Sequence, residues 1–168
     1  MLVTRAFWDI FFKLGKQNIS EYISPEIIEA ILNIAIELGR EGREGKKIGT
    51  AFVVGSISEL NKYLKQLIIN PFRGLDEKVK INNPHIKETI KEFAQLDGVF
   101  VVDEEGYIVS AGTYLNINSS DIDLPQGFGT RHRACAAITK ETSAIAITVS
   151  ESGGIVRIFK EGRIAVRI

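Results

Sequence analysis

Three side chains able to carry positive charge stand together at Arg131-His132-Arg133, directly behind Gly127-Phe128-Gly129-Thr130 and ahead of the small-residue run Ala134-Cys135-Ala136-Ala137. Glycine permits a tight turn, threonine suits a helix cap and small residues favour helix, so the stretch reads as a loop delivering a helix N-terminus. Free N–H groups and the positive end of the helix dipole favour an anion there, and phosphate is the obvious candidate. At about 100° per residue, Arg131 and Arg133 leave a regular helix in nearly opposite directions. One is therefore expected to face ligand and the other to face structure or a partner. The competing reading is a helix start whose basic residues are solvated or paired with carboxylates.

The elements that must position this stretch follow from composition and periodicity. With 168 residues and 45% apolar content the chain is expected to fold as a single globular unit around a substantial core. Acidic and basic residues balance at 21 each, so no global field draws in nucleic acid or an anionic membrane, and any cationic site must be local. One cysteine, Cys135, fits a reducing compartment and reads as a packing residue on the helix. No apolar run reaches the ~20 residues of a membrane span, and residues 1–20 lack a secretory signal, so a cytoplasmic location without a membrane span is expected.

Residues 2–14 place Phe7, Trp8, Phe11 and Phe12 on one helical face, which reads as a core cap or a docking stripe, and residues 15–22 as a connector. Ser24-Pro25 opens a helix whose apolar residues run to Leu38, with Gly39 as its stop. The charged, glycine-punctuated run 40–47 reads as a solvated loop. Residues 48–54 form a buried strand, Ser58 caps a short helix through Leu64, and 70–74 make a turn. A helix over 84–96 leads to Asp97-Gly98, where an aspartate serves ordinarily as a turn former, and then to a buried strand beginning at Val99. A hairpin at 103–106, whose acids are expected to be solvated, returns the chain through 107–111 to Tyr114-Leu115. A polar loop over 116–126 leads into the glycine-rich stretch. Strands at 143–149, 155–159 and 163–168 follow the helix. The predicted class is α/β: a mixed parallel and antiparallel central β-sheet covered by helices.

With these elements in order, the chain resembles the diadenylate cyclase catalytic domain. The match is carried by Asp97-Gly98-Val99, standing for an Asp-Gly-Ala motif, and by Gly129-Thr130-Arg131-His132-Arg133-Ala134, an intact Arg-His-Arg motif. Supporting stretches are Gly42-Arg43-Glu44-Gly45-Lys46 before Ile48-Gly49-Thr50, Asn70-Pro71-Phe72, Tyr114-Leu115 and Val149-Ser150-Glu151. The resemblance implies a cyclase domain over residues 25–168, with 1–24 outside it. It further implies condensation of two ATP into cyclic di-AMP, each 3′-hydroxyl attacking the other nucleotide's α-phosphate, with pyrophosphate leaving. Such chemistry needs a divalent cation, cationic or N–H donors, and in-line placement.

By the same resemblance the catalytic group is Asp97, Arg131, His132 and Arg133, and the nucleotide is bound by Gly98, Tyr114, Leu115, Gly129, Thr130, Ser150 and Glu151. Asp97, Glu151 and His132 are the implied ligands of Mg²⁺ or Mn²⁺. Gly98 would let the backbone approach the nucleotide. Because each ATP attacks the other, two subunits must face each other across a two-fold axis. Val99 replaces the motif alanine, and Ser152 stands where many relatives carry a second acid. The alternative is a non-catalytic nucleotide sensor of the same fold.

Overall fold

The computed structural model describes residues 22–168. Seven strands form one mixed sheet in the order β2-β4-β3-β1-β5-β6-β7. They are β1 (Thr50–Val54), β2 (Leu64–Gln66), β3 (Val99–Val102), β4 (Ile108–Leu115), β5 (Ile145–Val149), β6 (Val156–Lys160) and β7 (Arg163–Arg167). β1 and β3 are parallel and the other neighbours antiparallel. Four helices are described: α1 (Pro25–Glu41), α2 (Ile57–Leu60), α3 (Lys87–Phe93) and α4 (Thr130–Glu141). The predicted mixed sheet covered by helices is the observed architecture.

Alternation along the central strands divides the core into two layers. Phe52, Val54, Phe100, Val102, Ile145 and Ile147 face α1 and α3, where they meet Ile28, Ile31, Leu32 and Ile90. Ala51, Val53, Val99, Val101 and Ala146 face α4 and meet Cys135, Ala136 and Ile138. Phe52 and Phe100, partners across the parallel pair, stack with centroids 4.8 Å apart. β5 is buried along its whole length, because it is central with a helix on each face.

Several boundaries differ from the sequence reading. Gly39 lies inside α1, which continues to Glu41 and is capped by Gly42. A Cβ at Gly39 would lie 2.2 Å from the Gly154 carbonyl oxygen, so this glycine serves close backbone approach and not helix termination. Ser56, not Ser58, stands at the N-cap of α2, and Leu64 begins a strand. The segment expected to be helical over 84–96 is a 3₁₀ turn over Pro84–Ile86 followed by α3, with Asn83 Oδ1 accepting from the His85 N–H at 3.0 Å. Arg43, expected to be solvated, donates to Glu88 Oε2 at 2.7 Å and Glu92 Oε2 at 2.8 Å, tying the end of α1 to α3. Asp103 is likewise a turn former, accepting from the N–H groups of Glu105 and Tyr107. The aromatic helix expected over 2–14, and its connector to residue 21, lie outside the described residues.

Candidate active site

The parallel pairing of β1 and β3 makes both strands begin at one end of the sheet, and β5, antiparallel to β1 with Thr50 opposite Val149, ends there. Gly49, Asp97-Gly98 and Ser150-Glu151 are therefore delivered to one rim from distant parts of the chain. β4, with Thr113 opposite Val99, brings Tyr114 and Leu115 to the same end. The N-terminus of α4 is held at this rim by Arg131, whose Nη1 donates to the Gly49 carbonyl at 2.7 Å. Its Nη2 lies 4.0 Å from Asp97 Oδ1. A Cβ at Gly49 would fall 3.0 Å from Glu151 Cβ and 3.2 Å from Arg131 Nη1, so a larger residue would require these side chains to give by a few tenths of an ångström. The Asp97 side chain is 99% exposed. A contact that long and that wet contributes little to stability, and it leaves the carboxylate free for a ligand.

Gly129, in extended conformation, is the N-cap of α4, so Thr130 is the first helical residue and not the cap. The N–H groups of Thr130, Arg131 and His132 have no intrahelical acceptor, and no acidic residue in the first turn answers them. Gly127 adopts φ 97°, and the space around Gly127 and Gly129 is open. The two arginines diverge as their spacing requires. Arg133 donates to the carbonyls of Ile122 at 3.3 Å and Leu124 at 3.4 Å, and so holds the 116–126 loop rather than facing Asp97.

His132 occupies an aromatic niche, its ring edge-on to Phe128 at 5.5 Å and to Phe159 at 6.3 Å. Nε2 is buried without a partner. Burial, assisted by the cations of Arg157 and Arg131, pushes the imidazole down to about 4, so it is neutral at ordinary pH. Among the described residues no three His, Cys, Asp or Glu side chains are grouped for a metal ion, so Asp97, Glu151 and His132 do not form a preassembled set.

Gly98 has φ 94°, and a Cβ there would lie 2.6 Å from the Thr113 carbonyl oxygen; the close approach it permits is to β4. Tyr114 is exposed and Leu115 is buried in the core on the α4 side, as alternation along a strand demands. Ser150 shares a hydrogen bond with Ser152 at 3.2 Å in the turn after β5. Cys135 is fully buried and its thiol is pushed up to about 12, which fits packing and not nucleophilic chemistry. The contribution of Gly49 was not singled out in sequence, although Ile48-Gly49-Thr50 was among the supporting stretches. A cleft of about 320 Å³ between the 116–122 loop and the C-terminal half of α4 is lined by Tyr63, Asn116, Ile122, Ala137 and Lys140, none of them a motif residue.

The chain is 48% identical over 137 residues to the diadenylate cyclase of Methanocaldococcus jannaschii, covering 82% of this chain and 43% of that protein. It is 40% identical over 144 residues to the diadenylate cyclase of Haloferax volcanii, covering 86% and 53%. The chain thus spans about half the length of these relatives. In fold it is similar to a hypothetical membrane spanning protein from Bacillus cereus, with TM-score 0.65, 22% identity, and coverage of 87% of this chain and 64% of that one. It is also similar to DacA from Staphylococcus aureus, with TM-score 0.56, 18% identity, and coverage of 84% and 85%. Among the described residues no helix is long and apolar enough to cross a membrane. Residues 37–164 match the family described as DisA bacterial checkpoint controller nucleotide-binding, and the chain belongs to that family.

Proposed function

We propose that residues 25–168 form a diadenylate cyclase domain, a nucleotidyltransferase that joins two ATP into cyclic di-AMP and two pyrophosphates in the cytoplasm, where ATP is abundant. The observation that carries this reading is the meeting of an exposed carboxylate, Asp97, with Arg131 at the N-terminus of α4. A nucleotidyl transfer needs a group to activate or orient the 3′-hydroxyl and a cationic seat for the phosphate that it attacks. Both stand at the same rim. The names of the relatives that are 48% and 40% identical support the assignment.

Each residue then has a task. The N–H groups of Thr130, Arg131 and His132, with the helix dipole behind them, hold phosphate oxygens. Arg131 adds full charge, and its bond to the Gly49 carbonyl fixes its direction before substrate arrives. Asp97 accepts the proton of the attacking 3′-hydroxyl, and would be a carboxylate ligand for a divalent cation when one is bound. Tyr114 offers an exposed ring at the adenine end. Arg133 acts indirectly, by fastening the 116–126 loop beside α4.

The donor chemistry fits Mg²⁺ or Mn²⁺. Such hard ions take one or two carboxylates and complete their shell with substrate phosphates and water, and Asp97 and Glu151 supply exposed carboxylates. His132, buried between two phenylalanine rings, does not fit as a third ligand. When bound, the ion would neutralise charge on the triphosphate. Two copies must face each other across a two-fold axis, because one subunit holds only one of the two reacting nucleotides.

The test is incubation of purified protein with ATP and Mg²⁺ or Mn²⁺, with detection of cyclic di-AMP by mass over a protein-concentration series. Product is expected, with specific activity rising with protein concentration. Absence of product at every concentration and with both metals refutes the assignment.

A further inference from the structure

β6 begins at the rim where β5 ends, with Arg157 opposite Thr148. Across the next pairing Arg157 stands directly opposite Arg167 of β7. Like charges directly opposite on antiparallel strands are destabilising. Here nothing relieves them, because neither guanidinium forms an ion pair among the described residues. Burial lowers the proton affinity of Arg157, and Arg167 lowers it further. Arg157 is nonetheless held in place, its Cζ 4.8 Å over the ring of Phe128. Stacking engages the face of the guanidinium and leaves its edge N–H donors for an acceptor. Phe128 belongs to the turn that opens α4 and also touches His132, the neighbour of Arg131. A repelling pair therefore stands beside the phosphate seat, with Arg157 held by Phe128 and the donors of both guanidiniums unanswered within the described residues.

We infer that Arg157 and Arg167 form a second cationic clamp, adjoining the N-terminus of α4, for a pyrophosphoryl group. Two forked guanidiniums side by side match two linked phosphates, each presenting oxygens for bidentate contact. The group could arrive as the β,γ-phosphates of the nucleotide or as free pyrophosphate. Only the first source rests on the cyclase reading.

The probes are inorganic pyrophosphate, ATP and AMP, titrated calorimetrically at low salt into the full chain and into its Arg167→Gln and Arg157→Lys variants. Arg167→Gln removes a charge from an edge strand, so the unliganded variant is expected to melt no lower than wild type. Arg157→Lys keeps the charge and removes the fork. Pyrophosphate affinity is expected to fall about tenfold in each. If the preference for ATP over AMP falls in step, the clamp holds the nucleotide's own tail; if pyrophosphate affinity falls alone, it serves the free anion. Unchanged pyrophosphate affinity in both variants overturns the clamp. A wild-type chain that forms no cyclic dinucleotide, yet loses pyrophosphate affinity on Arg167→Gln, removes the cyclase reading and leaves the clamp standing.

Discussion

Replacing Gly98 by alanine should separate the architecture of the site from its stability. The new Cβ would lie 2.6 Å from the Thr113 carbonyl oxygen and 2.8 Å from the Thr113 nitrogen, both backbone atoms that no rotamer change can move. Restoring an ordinary C···O contact of about 3.3 Å requires β3 and β4 to part by roughly 0.7 Å at this point. The φ of 94° adds about 1–2 kcal/mol for a residue with a side chain. A weakened ladder bond adds about 1 kcal/mol, and the stiffer unfolded chain returns about 0.5 kcal/mol. The net loss is about 2 kcal/mol, against a total of about 5–15 kcal/mol for a domain of this kind, so the variant stays folded. Turnover should suffer far more, since Asp97 is the adjoining residue and a displacement approaching 1 Å costs on the order of a hundredfold in rate. Urea unfolding gives the first number, and cyclic di-AMP formation at saturating ATP gives the second. Wild-type turnover in a variant with the expected stability loss would refute the claim that Gly98 sets the position of the carboxylate.

Other consequences can be checked directly. Asp97→Asn should abolish product while leaving ATP binding within about tenfold, as expected for a group that acts on the transition state; equal losses in both would make Asp97 a turn residue only. Gly39→Ala, which at an ordinary helical site stabilises by about 1 kcal/mol, should instead destabilise by about 1–2 kcal/mol through overpacking, because its Cβ meets the Gly154 carbonyl at 2.2 Å; a gain in urea resistance would deny that contact. His132 titrates at about 4 in the folded chain against 6.5 when free, so the unfolded chain takes up its proton first and stability is lost as pH falls from 6.5 to 4. The full displacement corresponds to about 3 kcal/mol, which partial solvent access cuts to about 1–2 kcal/mol. His132→Phe should flatten unfolding free energy between pH 7 and about 4.5 by that amount, and an unaltered pH profile would show that the imidazole is not desolvated.

What could be read in the sequence was whatever depends on local pattern. The turn at Gly127 to Gly129, the helix behind it, the buried strands around Phe52 and Phe100 and the mixed sheet all follow from glycine placement and apolar periodicity. The opposite departures of Arg131 and Arg133 followed from helical geometry alone. Illegible were the features decided by a distant neighbour. Gly39 carries the ordinary signature of a helix stop, and only the approach of Gly154 reveals it as a packing residue. Arg133 looks as available as Arg131 until the carbonyls of Ile122 and Leu124 claim it. Tyr114 and Leu115 are both nucleotide contacts by resemblance, yet strand alternation sends them to opposite faces.

The parallel union of β1 with β3 bears on how the protein comes to exist. A parallel neighbour can be reached only by a crossover, and the chain between Val54 and Val99 contains β2 and α3, so this pairing closes a long loop and forms slowly. Until it closes, Gly49 and Asp97 belong to separate stretches. Nucleotide capture is then a reward reserved for the finished chain, adding its binding energy to the last state on the path and to none before it. On the proposed function, the ATP concentration would set how much of the protein stays intact under heat.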